Sequence, residues 1–360
     1  MEKIKAGLIG CGRMGAFTSE KVRKNAPSFW FPLSHYDALM SHPSICEIAV
    51  SDEDKDNLGR MGAEYDLKNR YLSPLEMLQD FKPDLLTIAT RTNGRALLIK
   101  QGIESGVRAL HIEKPLCNSM KELSLLEGLI KNPNIYATYG TIRRFLPVYQ
   151  NAVKIAKSGE YGKLKEIKIS FGSAMLFWTH PHAIDLMLYA ASGSKVIGVQ
   201  AFLAGVSEGL YKANILSDPL VISATVYFES GLTGCITQSL GSDMTLTCED
   251  AEISVRGDGH VTDIYKAQAG KTYPVRRPLA IDNGDVTFGG TFLAIDELIG
   301  CLRGDKDRIN SNADNKKDIL LGQRVIFAMV QSHIENSRII DLEEIDPQMK
   351  IEAITNGKFA

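Results

Sequence analysis

The stretch Gly7-Leu8-Ile9-Gly10-Cys11-Gly12-Arg13-Met14-Gly15, close behind the start of the chain, constrains the fold more than any other. Residues 3–9 read as a short buried strand, and Gly10, Gly12 and Gly15 follow at the spacing G-x-G-x-x-G, where a helix is expected to start. A strand, a tight glycine turn and a helix in this order suit a dinucleotide. The first glycine permits the turn, the second lets the backbone approach a pyrophosphate, and the third allows close helix–strand packing. The helix N-terminus adds N–H groups and a partial positive charge.

At 360 residues the chain is long enough for two domains with substantial cores. The formal net charge of -2 argues against a nucleic-acid partner recruited by bulk charge. No apolar run is long enough to span a bilayer, and the opening MEKIKAGLIG runs straight into the first strand without a signal-peptide layout. The six cysteines (Cys11, Cys46, Cys117, Cys235, Cys248, Cys301) are scattered, with no C-x-x-C pair. Neither a zinc site nor a disulfide framework is expected; free thiols in a reducing cytoplasm are.

The first third alternates strand and helix, with strands at 3–9, 46–50, 85–89 and 109–112 and a helix at 95–105. Short apolar runs separated by helices indicate an α/β domain with a parallel sheet covered on both faces. Residues 16–42 are longer than one crossover helix needs. With Phe29, Trp30, Phe31, Pro32 and His35 they read either as a rim to a cofactor cleft or as a packing insertion. Lys131-Asn132-Pro133-Asn134 reads as a loop near the end of this domain, so the expected division is 1–130 and 131–360. Beyond it, residues 163–171 alternate as a strand, 221–229 and 232–239 form a hairpin about Glu229-Ser230-Gly231, and 252–255 is a further strand. An α+β domain with a large open, mostly antiparallel sheet is expected, with helices at 292–302 and 317–335.

Three places carry chemistry. Asp52, after the second strand, can accept hydrogen bonds from ribose hydroxyls and would repel a 2′-phosphate, favouring NAD over NADP; as a simple polar strand end it would mean nothing. Glu113-Lys114-Pro115 closes the fourth strand. The carboxyl ends of parallel strands are where such sheets bind ligands, and a lysine there can stabilise an oxygen as it becomes an alkoxide. The plain alternative is a surface turn. Finally, Thr179 can cap a helix that carries Pro181 in its first turn and places His182, Asp185 and Tyr189 on one face. His182 can take a proton from an alcohol, with Asp185 orienting it; otherwise His180 and His182 are structural. Two histidines at i,i+2 diverge, so no metal site is expected.

Together these features resemble the Gfo/Idh/MocA family, the glucose-fructose oxidoreductase and inositol dehydrogenase group. The resemblance rests on Gly10–Gly15, Glu113-Lys114-Pro115, Arg143-Arg144-Phe145-Leu146-Pro147, Ser158-Gly159-Glu160-Tyr161-Gly162-Lys163, His182 with Asp185, and the hairpin over 228–236. It implies an N-terminal Rossmann domain, a C-terminal open sheet that forms a homodimer or homotetramer interface, and NAD-dependent hydride exchange with a hydroxyl or ketone of a sugar, polyol or nucleotide sugar. Carried over by motif, Lys114 is the catalytic lysine and His182 the acid/base, with Asp185 beside it. Gly10, Gly12, Arg13, Met14, Gly15, Asp52, Thr90, Arg91, Asn93, Glu113, Lys114 and Pro115 surround the cofactor. Arg95, Arg144, Trp178 and His182 face the substrate.

Two departures stand out. Inositol dehydrogenase-like members carry an aspartate four residues before the histidine, where this chain has Trp178. The usual T-P-N loop with a following histidine is Thr90-Arg91-Thr92-Asn93 here, with Arg95 in the histidine's place. Arg91 and Arg95 read either as binders of an anionic substrate or as solvated residues at a helix start. Two other functions use the same parts: NAD-dependent glycoside hydrolysis by transient oxidation and elimination, and a non-catalytic NAD- and sugar-binding sensor.

Overall fold

Strands that are apolar on both faces need cover above and below, and helical crossovers between parallel strands supply it. The computed structural model describes residues 3–172, 174–207, 213–268, 270, 272–278, 288–355, 358 and 359. Its first sheet contains β1 (Ile4–Ile9), β2 (Ile45–Ser51), β3 (Arg70–Tyr71), β4 (Leu85–Ile88), β5 (Ala109–Ile112) and β6 (Tyr136–Tyr139), all parallel, in the order β3-β2-β1-β4-β5-β6. The connections carry α1 (Glu20–Asn25), α2 (His35–Ser41), α3 (Lys55–Tyr65), α4 (Pro74–Asp80), α5 (Arg95–Glu104) and α6 (Met120–Ile130). The order reverses between β1 and β4, and ligands of open α/β sheets bind at such a reversal, beyond the strands' carboxyl ends. The helix starts are written locally. Ser73 caps α4 by accepting the Glu76 amide, with Pro74 in the first turn, and Ser119 does the same for Glu122 in α6.

The chain separates into two compact units, Met1–Ile142 with Val286–Leu320, and Arg143–Asp285 with Leu321–Ala360. The division therefore differs from the expected 1–130 and 131–360 in two respects. The loop at 131–134 precedes one more strand of the first sheet, since β6 pairs with β5. And α9 (Gly290–Leu302), far along the chain, packs on β5 and β6. Ile4, Leu8, Leu39, Val50 and Met61 share one core with Phe292, Ile295 and Leu298. Each such buried side chain contributes roughly 1.5–3 kcal/mol relative to exposure, which is why this late helix belongs with the first unit.

The expected helix at the glycine stretch is not one element. Residues 12–16 make a single turn, with Ala16 and Phe17 amides both donating to the Gly12 carbonyl. The chain then leaves for residues 17–34, which hold the six-residue α1 without a buried residue and a short 3-10 turn at Ser28–Trp30. It returns so that the His35 amide donates to the Met14 carbonyl at 2.9 Å and the Tyr36 amide to the Gly15 carbonyl at 2.8 Å. α2 thus continues the hydrogen bonding that the fingerprint turn began, and the 17–34 segment is an excursion from an interrupted first helix. On its far side it meets residues before α9: the Gly289 amide donates to the Phe31 carbonyl, and a Cβ on Gly289 would overlap the Trp30 main chain.

The second unit contains α7 (Pro147–Lys157), β7 (Leu164–Ser170), α8 (His180–Ala191), β8 (Val196–Ala204), β9 (Asn214–Ser217), β10 (Leu220–Phe228), β11 (Thr233–Thr237), β12 (Asp243–Cys248), β13 (Ala251–Arg256), β14 (Val261–Lys266) and β15 (Val275–Pro278). Eight of these strands form one sheet in the order β15-β14-β13-β12-β7-β11-β10-β8. β7 and β11 pair parallel; the other described pairs are antiparallel. The β10–β11 hairpin turns where expected, with Gly231 at φ 81°. The long α10 (Lys306–Ile334) precedes β16 (Lys350–Thr355) and β17 (Lys358–Phe359), which join β9 in a three-stranded sheet. This is the α/β plus open, mostly antiparallel α+β architecture read from the sequence. Among the described residues no helix is long and apolar enough to cross a membrane.

One buried polar residue of the first sheet makes its stability pH-dependent. His111 in β5 is fully buried, its Nδ1 lies 3.0 Å from Thr138 Oγ1, and burial, aided by neighbouring His35, pushes its pKa down to about 3. Between pH 6.5 and 3 the unfolded chain binds the proton that the folded state refuses, so His111 lowers stability as pH falls through that window. Between pH 7 and pH 5 this removes about 2 kcal/mol. Urea unfolding of His111→Gln should show a correspondingly flatter decline over that interval than the wild-type protein; equal slopes would contradict the assignment.

Candidate functional site

The glycine turn is built by close contacts at two of its three glycines. Gly10 has φ 92°, and a Cβ on it would press against the Ala89 and Thr90 main chain at the end of β4. A Cβ on Gly15 would overlap the Gly10 carbonyl oxygen. Gly12 is different. It has no positive φ and a Cβ on it would meet no protein atom within 4 Å, so nothing in the protein's own packing demands glycine there. A cradle open toward the outside, at the switch point between β1 and β4, fits a pyrophosphate. Asp52 leans into the same turn. Its carboxylate accepts the Cys11 amide at 2.6 Å, the Asp54 amide at 2.9 Å and the Asn57 amide group at 3.2 Å. Arg13 is exposed and Met14 half-buried on this turn. After β4, Thr90 is half-buried, while Arg91 and Asn93 are exposed.

Lys114 lies just past β5, half-buried, before a cis Lys114–Pro115 peptide bond. Its main chain is fixed from both sides. The Lys114 amide donates to Glu113 Oε2 at 3.0 Å. The Arg95 guanidinium donates to the carbonyls of Glu113 (2.6 Å), Pro115 and Thr90. This corrects the expectation of Arg95 as a substrate-binding or solvated residue: it is 1% exposed, and its donors serve main-chain acceptors at two strand ends. Glu113 is buried too, and its carboxylate rests against Gly140, where any Cβ would fall within 3.1 Å of both carboxylate oxygens. Burial alone would raise its pKa. The hydrogen bond and charge of His35, with Lys114 and Arg95, outweigh burial and hold it down at about 2.

The remaining predicted residues lie in the second unit. α8 starts at His180 with Pro181 in its first turn, and Thr179 occupies the cap position without the expected side-chain bond. His182, half-buried, shares a face with Asp185 and Tyr189, while Ile184, Met187 and Leu188 are buried opposite. Asp185, expected beside His182, and Arg144, expected at the substrate, are joined to each other. Arg144 Nε donates to Asp185 Oδ2 at 2.9 Å and its Nη2 lies 2.8 Å from Oδ1. Both side chains are buried, and a fork-to-fork pair of this kind locks the segment before α7 onto α8 rather than offering a charge to a ligand. The neighbouring Arg143, buried, makes a second pair with the half-buried Asp258 at 2.7 Å, which Tyr149 joins at 3.0 Å. His180 is fully buried, and burial lowers its pKa to about 4, so it stays neutral.

Trp178 is 39% exposed on a main chain held by Asp218, whose two carboxylate oxygens accept the Phe177 and Trp178 amides at 2.8 and 3.1 Å. Asp218 was missed in the sequence. Its signal is the turn composition of Ser217-Asp218-Pro219 between two strands. No cluster of three or more His, Cys, Asp or Glu side chains is arranged to hold a metal ion among the described residues.

Residues 4–137 match Gfo/Idh/MocA, described as an oxidoreductase family with an NAD-binding Rossmann fold. The match takes in the first sheet and well under half of the chain. It is 24% identical over 161 residues to scyllo-inositol 2-dehydrogenase (NAD(+)) of Bacillus subtilis, a match covering 45% of this chain and 42% of that protein. The chain thus spans under half the length of that relative. Among solved structures, an NAD binding oxidoreductase from Klebsiella pneumoniae aligns with a TM-score of 0.72 at 17% identity, over 94% of this chain and 99% of that one. The WlbA dehydrogenase from Bordetella pertussis, solved with NADH and UDP-GlcNAcA, aligns at 0.70 with 18% identity over 94% and 98% of the two chains. Likenesses at these identities establish the fold.

Two measurements test the glycine cradle. Gly12→Ala should hold stability within roughly 0.5 kcal/mol of wild type while weakening NADH binding at least about tenfold in a fluorescence titration; Gly15→Ala should lose the fold of the turn as well. Unchanged NADH affinity in Gly12→Ala would exclude a close pyrophosphate. Asp52→Ser should raise the affinity for NADPH relative to NADH by about tenfold, read by the same titration, because the carboxylate that would repel a 2′-phosphate is gone.

Proposed function

We propose that the chain is an NAD-dependent dehydrogenase acting on a hydroxyl of a sugar, polyol or nucleotide sugar. The observation that carries this reading is the immobilised main chain on either side of Lys114, at the carboxyl end of a strand in the same sheet as the glycine cradle. A side chain meant to steady a developing charge needs a fixed base, since preorganised groups require no rearrangement during reaction. NAD, when bound, supplies the hydride acceptor. Lys114 holds the substrate oxygen as its negative charge grows, and His182 removes the hydroxyl proton. Asp52 selects the ribose hydroxyls and, with them, NAD over NADP.

Several features support a carbohydrate-like substrate. The exposed ring of Trp178, on a main chain anchored by Asp218, offers an apolar face to the C–H face of a sugar ring, with the polar hydroxyls left for hydrogen bonds. Arg91, exposed after β4, suits an anionic group such as a sugar acid or nucleotide diphosphate. The named activities of the Bacillus subtilis inositol dehydrogenase and of the UDP-GlcNAcA-bound WlbA dehydrogenase bracket the same substrate classes. A homodimer or homotetramer in the cytoplasm belongs to the same reading.

The test is NADH formation by the purified protein with NAD and a panel of polyols, aldoses, sugar acids and UDP-sugars. One responding class is expected. Lys114→Ala and His182→Ala should each lower turnover roughly 10²- to 10⁴-fold while NADH binding persists. Full turnover in both variants would remove the assignment. Release of free sugar from a glycoside without net NADH would instead identify the hydrolytic use of the same parts.

A further inference from the structure

A buried path joins the two halves of the first unit's candidate site, and its middle member, His35, has no part in the chemistry above. His35 is the first residue of α2, and its amide donates to the Met14 carbonyl within the glycine turn at 2.9 Å. Its side chain runs the other way, with Nε2 3.5 Å from Glu113 Oε1, at the outer edge of hydrogen-bond range. The other oxygen of Glu113 accepts the Lys114 amide at 3.0 Å. The glycine turn and Lys114 are thus the two ends of one chain of contacts: Met14 carbonyl, His35, Glu113 carboxylate, Lys114 amide.

Each link is pinned. His35 is 1% exposed, its ring centroid 4.7 Å from that of His111, which Thr138 holds. The Glu113 carboxylate cannot withdraw toward β6, because it already rests against Gly140. A carboxylate that stays ionised only accepts, so Nε2 of His35 is the donor in this contact. An ionised carboxylate at a water-excluded position holds its donors more strongly than a neutral group would. Placement of the glycine turn and placement of Lys114 are therefore not independent.

We propose that His35 is a positioning residue that couples occupancy of the glycine turn to the placement of Lys114, acting through Glu113. The proposal rests on the reading of Lys114 as the group at the reacting oxygen, but its test does not need a substrate. Group-specific labelling of the Lys114 amine with trinitrobenzenesulfonate, quantified by peptide mass spectrometry, reports its placement. ADP is the probe of the glycine turn, since it carries a pyrophosphate and no nicotinamide. In the wild-type protein, saturating ADP should change the Lys114 labelling rate roughly fivefold or more, the low end of ordinary coupling between sites. In His35→Ala, ADP should still bind by calorimetry but leave the labelling rate unchanged. His35→Gln, which keeps an N–H donor, should retain most of the effect, and Glu113→Gln should lose it if His35→Ala proves too unstable to assay.

Persistence of the full ADP effect in His35→Ala would mean direct shielding by the nucleotide and would overturn the proposal, as would no ADP effect in the wild type. With a turnover assay in hand, His35→Ala should lower kcat roughly 10- to 100-fold in the wild-type background. In the Lys114→Ala background the same change should alter kcat by less than about twofold, whereas equal losses in both would mark a merely structural histidine. Full turnover in both Lys114→Ala and His182→Ala sinks the functional reading; retention of the ADP effect by His35→Ala sinks only this one.

Discussion

The contact on which the first unit depends is the one between Gly15 and the Gly10 carbonyl oxygen, too close for any side chain. It folds the turn back on the end of β1. That orientation aims the Met14 and Gly15 carbonyls at the start of α2 and the Cys11 amide at Asp52. Without it, α2 would have no acceptors for its first amides, and an unpartnered buried N–H costs as much as a lost hydrogen bond. The open glycine turn, the anchoring of Asp52 and the seat of His35 are three consequences of a missing Cβ.

A second constraint is charge placed where water is not. Glu113, Arg95, Arg143, Arg144 and Asp185 are all buried, and each is matched. Arg95 is matched by carbonyl dipoles rather than by a carboxylate, which explains how an arginine can sit beneath a strand end. Its guanidinium is planar and presents several donors at once, and a lysine could not bridge three carbonyls in that geometry. Such groups do not add much net stability. They fix which main-chain atoms face which, and a site that works by preorganisation needs that more than it needs stability.

The sequence made the parallel strands legible because a buried strand is a short, mostly aliphatic run, and β1, β2, β4 and β5 are of this kind even with Lys5, Glu47, Thr87 and His111 among them. It hid β6, since Tyr136-Ala137-Thr138-Tyr139 is no such run and follows a loop rich in asparagine. It placed α9 in the wrong unit because nothing local reveals which core a helix will share. The site divides along the same line. The placement of Gly10 and Gly15 in a tight turn, and of Asp52 and Lys114 just past strand ends, is readable because it follows from residues close by along the chain. The partners of Arg95, Asp185 and Glu113 are not, because each is supplied from another element 18 to 78 residues away.

The interruption of the first helix carries a consequence for how such a chain can change. Met14 and Gly15 hand their hydrogen bonds to His35 and Tyr36 across the gap, so the two ends of the 17–34 segment are held together by the same bonds that an unbroken helix would make. The entropy of closing a loop grows only logarithmically with its length. A segment tethered this way can lengthen, shorten or be exchanged at small thermodynamic expense while the cradle beneath it keeps its geometry. Residues 17–34 are therefore a natural place for descendants of one ancestor to diverge, adding or shedding surface beside a constant nucleotide site.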